Sequence, residues 1–272
     1  MKNTFASTII ACLLALPASA QVRLSDFEGV WERAGPGPGG PHDRAQSAPN
    51  GTPGRAPQAL DGAVTFRLGA PSPEQGRGPP IPEADAALGL DAGDLRIRRL
   101  MTAAGRARFA AFRPIEHPMY NCITPGLPSV AGMPGRQSWT VDNDTIRISH
   151  ETWPEPRTTT LLAEIDPTAP HTRMGQSTAR IDNGALVITT TSFTEAWAGL
   201  GRNAPGSAER MVVETYRLAG ADRIEGDIVI TDPLFLTEPL RRAVMLRRAS
   251  AGTLIEEFPC DLEASQRLIQ SQ

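Results

Sequence analysis

The stretch MGQSTARIDNGALVITTTSF, residues 174–193, decides the fold. Two alternating runs flank Asp182-Asn183-Gly184. Asn-Gly tolerates the positive φ values that a two-residue hairpin turn requires, so the segment predicts a β-hairpin. The arm at 187–193 is the most strand-prone run in the chain. The same pattern recurs three times. Runs at 137–141 and 145–151 flank Asp142-Asn143-Asp144, runs at 211–218 and 223–231 flank residues 219–222, and runs at 242–248 and 253–258 flank residues 249–252.

Further strands are expected at the start of the domain, around Gly29-Val30-Trp31, and at 63–68 and 158–165. The total is about nine or ten, mostly joined by hairpins. An antiparallel meander follows, and closing it into a barrel removes the exposed edges; a two-sheet sandwich is the alternative. Helix is sparse. Thr102 is a plausible N-cap for a helix through Phe112, and 262–270 reads as a short C-terminal helix. Residues 116–134 read as loop, and 196–207 as a Gly-rich loop containing Trp197. Between Ala34 and Pro82, Gly or Pro fills 21 of 49 positions. Such a segment buries too little apolar surface to offset its ordering entropy, so 34–82 reads as a largely irregular insertion in one domain spanning 21–272.

Residues 1–20 have the pattern of a cleavable signal peptide. Lys2 is the charged region, 9–16 a short apolar core, and Ala18-Ser19-Ala20 the cleavage signal. The apolar core is too short to span a bilayer and no second hydrophobic run follows, so a periplasmic or secreted protein without a membrane span is expected. The formal charge of −3 argues against nucleic acid as a partner. Two of the three cysteines, Cys122 and Cys260, remain after the signal segment. In an exported chain the simplest reading is a disulfide between them, with two buried thiols as the alternative. Neither belongs to a metal-ligand cluster, and His42, His117, His150 and His171 are scattered, so neither metal nor cofactor is expected.

Strand alternation places Ile146, Ile148 and His150 on one face, and Arg210, Val212, Glu214 and Tyr216 on another. If both faces turn inward, His150 and Glu214 are candidates for acid–base chemistry, and Glu214 then needs an Arg or Tyr partner. His171, at a strand entrance six residues before Ser177, is a third candidate. Trp31, Trp139 and Tyr216 fit a core or the wall of a ligand cavity.

Gly29-Val30-Trp31 with the late pair Arg247-Arg248 resembles the lipocalin-like pattern, in which a Gly-x-Trp opens the barrel and a late Arg packs across the Trp. A longer resemblance runs over about 100–260, through TAAGRARFAAF, NCITPGLP, GQSTARIDNGALVITT, SAERMVVETYRL, ITDPLFLTEPL and EEFPC. It looks like a family of exported bacterial β-rich proteins of unassigned activity. That family often carries His where this chain has Gln176 and Gly206, and Trp where it has Ile181, so a mechanism resting on those histidines does not transfer. The resemblance implies fold, export and the disulfide.

The expectation is therefore an all-β, lipocalin-like barrel binding a small, largely apolar molecule. The alternative is a cofactor-independent lyase, isomerase or hydrolase using His150, Glu214 and His171 in the barrel cavity.

Overall fold

The computed structural model describes residues 21–34, 92–133, 135–201, 203–256 and 259–270. Residues 1–20, read as a signal peptide, His42, the strand expected at 63–68 and nearly all of the 34–82 insertion lie outside the described residues. The described residues form eleven strands: β1 (Gly29–Arg33), β2 (Arg136–Asp142), β3 (Thr145–His150), β4 (Trp153–Leu161), β5 (Gln176–Asp182), β6 (Ala185–Thr191), β7 (Ala196–Gly201), β8 (Ala204–Gly206), β9 (Met211–Leu218), β10 (Arg223–Thr231) and β11 (Leu240–Arg248). Nine of them form a closed barrel in the order β1-β11-β10-β9-β6-β5-β4-β3-β2. Closure decides against the sandwich.

The hairpin at 174–193 forms as β5 and β6, with Asp182 opposite Ala185. Asn183 and Gly184 both take positive φ, 48° and 73°, as its tight turn demands. Nine is an odd number, so strict up-and-down alternation cannot close the ring and one pair must run parallel. That pair is β4 and β5, matched only at Thr160–Thr178 and Leu161–Ala179. Residues 153–159 of β4 therefore have no partner on β5. Pro154 and Pro156 in this stretch have no N–H to offer a neighbour, which suits an unpaired edge.

One end of the barrel is closed by a 3-10 turn, Leu24–Phe27. Phe27 stacks on Trp139 with ring centroids 6.5 Å apart, and Trp139 meets Trp31 at 6.5 Å and Tyr216 at 5.0 Å. Trp31 Nε1 donates to the Phe27 carbonyl (2.9 Å). Of the late Arg pair, Arg248 lies over the Trp31 ring, 4.2 Å from its centroid. Its Nη1 donates to the Glu28 carbonyl (2.6 Å). Gly29 is required beside it: φ is +143°, and an added Cβ would stand 2.2 Å from Arg248 Nη1.

The other end is covered by the β7–β8 ribbon and by two helices, α1 (Ala92–Arg99) and α2 (Ala103–Ala110). Short 3-10 turns at Pro114–Glu116, Pro118–Asn121 and Val130–Gly132 complete it. Thr102 caps α2 as its sequence predicts, accepting from Gly105 N (3.1 Å). A disulfide joins Cys122 to Cys260 with Cα atoms 5.6 Å apart, bringing the cap to the C-terminal helix α3 (Leu262–Gln270).

The expectations for 196–207, 116–134 and 242–258 need correction. Residues 196–207 are not a plain loop, because they contain the β7–β8 ribbon. The loop expected at 116–134 carries 3-10 turns. The hairpin expected at 242–258 does not form: residues 253–256 are not strand, since β11 already pairs with β10 on one edge and β1 on the other.

Candidate functional site

Both alternation arguments resolve inward. On β3, Ile146, Ile148 and His150 are buried while Arg147 is exposed. On β9, Val212, Glu214 and Tyr216 are buried, with Glu214 fully shielded from solvent. A buried carboxylate needs partners, and Glu214 has two. Arg157, 5% exposed, reaches from β4 to form a buried ion pair with it through Nη1, with Nη2 at 3.3 Å from Oε1. Tyr216 Oη donates to the same Oε1 (2.7 Å). Burial opposes the Arg157 charge, but Glu214 and Tyr216 outweigh it and hold the guanidinium pKa above its ordinary value. Burial, reinforced by Glu214, keeps the Tyr216 phenol protonated well past its usual range.

His150 stands opposite Gln137, at the barrel end covered by the cap. Burial first, and then the Arg157 charge, push its pKa from 6.5 down to about 3. The imidazole is therefore neutral at physiological pH and poorly suited to donate a proton there. Among the described residues no hydrogen bond joins His150 to Glu214. Arg157 links them instead, pairing with one and acting electrostatically on the other. The inward polar set continues with Gln137, whose Oε1 accepts from Trp139 Nε1 (3.1 Å). Thr190 shares a hydrogen bond with Ser177 (2.8 Å).

Two buried polar atoms on β4 have no partner: Arg157 Nε and Thr159 Oγ1. They belong to alternate residues on the inward face of β4, within the stretch that β5 leaves unpaired.

The other expected site residues are placed differently. His171 is exposed, and its Nδ1 lies 3.0 Å from the Phe193 carbonyl. Ser177 is engaged with Thr190, so no Ser–His pair forms. Trp31, Trp139 and Tyr216 are buried against one another at the closed end, where they form the floor of the interior. A cleft of about 710 Å³ lies outside this floor, walled by residues 21–26 with Asn143, Asp144, Leu161 and Ile181; none of the candidate residues lines it. Among the described residues, no group of three or more His, Cys, Asp or Glu is arranged to hold a metal, and no helix is long and apolar enough to cross a membrane.

Arg157, Thr159 and Gln137 were missed as site residues. The strand expected at 158–165 begins at Trp153 instead, so Arg157 and its inward direction were hidden by the Pro-Glu-Pro run. No family model matches the chain, and no curated protein matches it.

Proposed function

We propose that this chain is an exported barrel protein that binds a small, largely apolar molecule carrying one hydrogen-bond acceptor. The observation that carries the reading is the pair of unpartnered buried groups, Arg157 Nε and Thr159 Oγ1. Buried polar groups are normally satisfied, and an empty donor facing an interior suits an acceptor supplied by a ligand. Arg157 is already charge-balanced by Glu214, so its remaining N–H favours a neutral acceptor such as a carbonyl. Buried Ile148 and Ile146, the register partners of Arg157 and Thr159 on β3, and buried Ile188, that of Glu214 on β6, supply apolar wall beside it. The unpaired edge of β4 is the way in. Export is supported by the N-terminal pattern and by the Cys122–Cys260 bond. Acid–base catalysis fits less well: His150 is held neutral, and Glu214 is committed to Arg157 and Tyr216.

The test is native mass spectrometry of protein purified from its own host, wild type beside Thr159→Val. Valine fills the same volume and removes a hydroxyl that has no partner, so the variant folds and gains a few tenths to about 1 kcal/mol. The wild type is expected to carry a small-molecule adduct, with affinity roughly tenfold weaker in the variant. Absence of any adduct under conditions that preserve other barrel complexes would sink the reading.

A further inference from the structure

A second unsatisfied group stands apart from the Arg157 cluster. Arg210 immediately precedes β9, in alternation with the inward-facing Val212 and Glu214, and is 1% exposed. Its Nη1 is fully used, donating to the carbonyls of Thr194 (2.8 Å) and Ser207 (2.7 Å), with that of Gly206 at 3.4 Å. Its guanidinium carbon rests 4.0 Å from the centroid of the Phe193 ring. These contacts fix the plane and rotation of the group.

The opposite edge, Nε and Nη2, has no partner. The nearby acid, Asp232, acts on Arg210 through its charge but gives it no hydrogen bond, because its carboxylate accepts from Ser207 N and Oγ, both at 2.7 Å, and from Phe235 N (3.0 Å). The cation is thus anchored on one side and stacked on one face, and it presents two parallel N–H groups on the other side. That edge matches a planar carboxylate, both of whose oxygens it can hold at once.

We propose that the Nε/Nη2 edge of Arg210 is a binding site for the carboxylate of a small organic acid. The site deepens the small-molecule binding reading but uses none of the groups on β4. Burial lowers the Arg210 pKa to about 10, which still leaves it cationic at neutral pH.

Sodium acetate is the probe, compared with sodium chloride and with acetamide at matched concentration. Acetate is expected to raise the Tm of the wild type in a concentration-dependent way, with acetamide and chloride giving no such rise. The rise is expected to shrink in Arg210→Lys, which keeps the charge without the fork, and to vanish in Arg210→Met. Thr159→Val is expected to respond as the wild type does, so failure here is distinguishable from failure of the β4 site. An equal acetate response in wild type and Arg210→Lys, or none in the wild type, overturns the assignment. Loss of the response in Thr159→Val does the same. If the Arg210 variants do not fold, saturation transfer from the wild-type protein to the acetate methyl group decides. The signal is expected, with suppression by formate, and its absence overturns the proposal.

Discussion

Around Trp31 the barrel interior is aromatic and complete in itself, whereas around Arg157 it is charged and incomplete. At the closed end the polar atoms of the ring cluster are all partnered: Trp31 Nε1 bonds to Phe27, Trp139 Nε1 to Gln137, Tyr216 Oη to Glu214, and Arg248 bridges to Glu28. Beyond it Arg157, Glu214, His150 and Arg210 are buried, and Arg157, Thr159 and Arg210 keep atoms with no partner. Burying charge is expensive and leaving it unsatisfied is more so, so the second region burdens the fold where the first supports it. The first region is what packing alone produces.

Removing one member of the charged set is expected to give the largest effect. Glu214→Gln leaves Arg157 buried without a counter-charge and is expected to cost about 4 kcal/mol, measured by urea unfolding with the disulfide intact. The double change Arg157→Met with Glu214→Leu removes both charges and is expected to recover most of that loss. A double variant as unstable as the single one would mean that the ion pair itself stabilises the barrel. The contrast between the two regions would then fail.

The next effect is a pH dependence confined to the charged half. His150 titrates near 3 when folded and near 6.5 when exposed. Between these values the unfolded chain binds the extra proton, so this contribution to stability is intact above pH 6.5 and is lost as pH falls toward 3. At pH 5 the loss is about 2 kcal/mol relative to pH 7.5. Unfolding curves at the two pH values, for wild type and His150→Gln, isolate the term. The variant is expected to show a pH penalty smaller by that amount, and equal penalties would place His150 in contact with water.

The same contrast separates what is legible in the sequence from what is not. The barrel was legible because its hairpins are local: Asn183-Gly184 fixes one turn, and period-two alternation groups His150 with Ile146 and Ile148, and Glu214 with Val212 and Tyr216, without saying which way those faces turn. The need for an Arg or Tyr beside Glu214 was legible as chemistry, but which Arg was not. Arg157 meets Glu214 across 57 residues of sequence, from a strand whose start is disguised by two prolines. Arg210 was assigned to the right face without any sign that its far edge would be empty, because that depends on Asp232 being taken by Ser207. The false hairpin at 242–258 failed for a nonlocal reason as well, since closure used both edges of β11.

The smallest effect tests whether the closed end is as self-contained as it looks. Arg248 is half-buried, and its stacking on Trp31 is worth about 1 kcal/mol. Arg248→Ala is expected to cost that much. Gly29→Ala is expected to cost more. Its Cβ displaces Arg248 from the ring, and alanine is strained at φ +143°. In the Arg248→Ala background the displacement term is already gone, so Gly29→Ala there is expected to cost less by about 1 kcal/mol. Such a shortfall would identify the glycine of the Gly-x-Trp pattern as the seat for the arginine. Strict additivity would reduce Gly29 to a backbone requirement alone, and would leave Arg248 as a contact the closed end does not depend on.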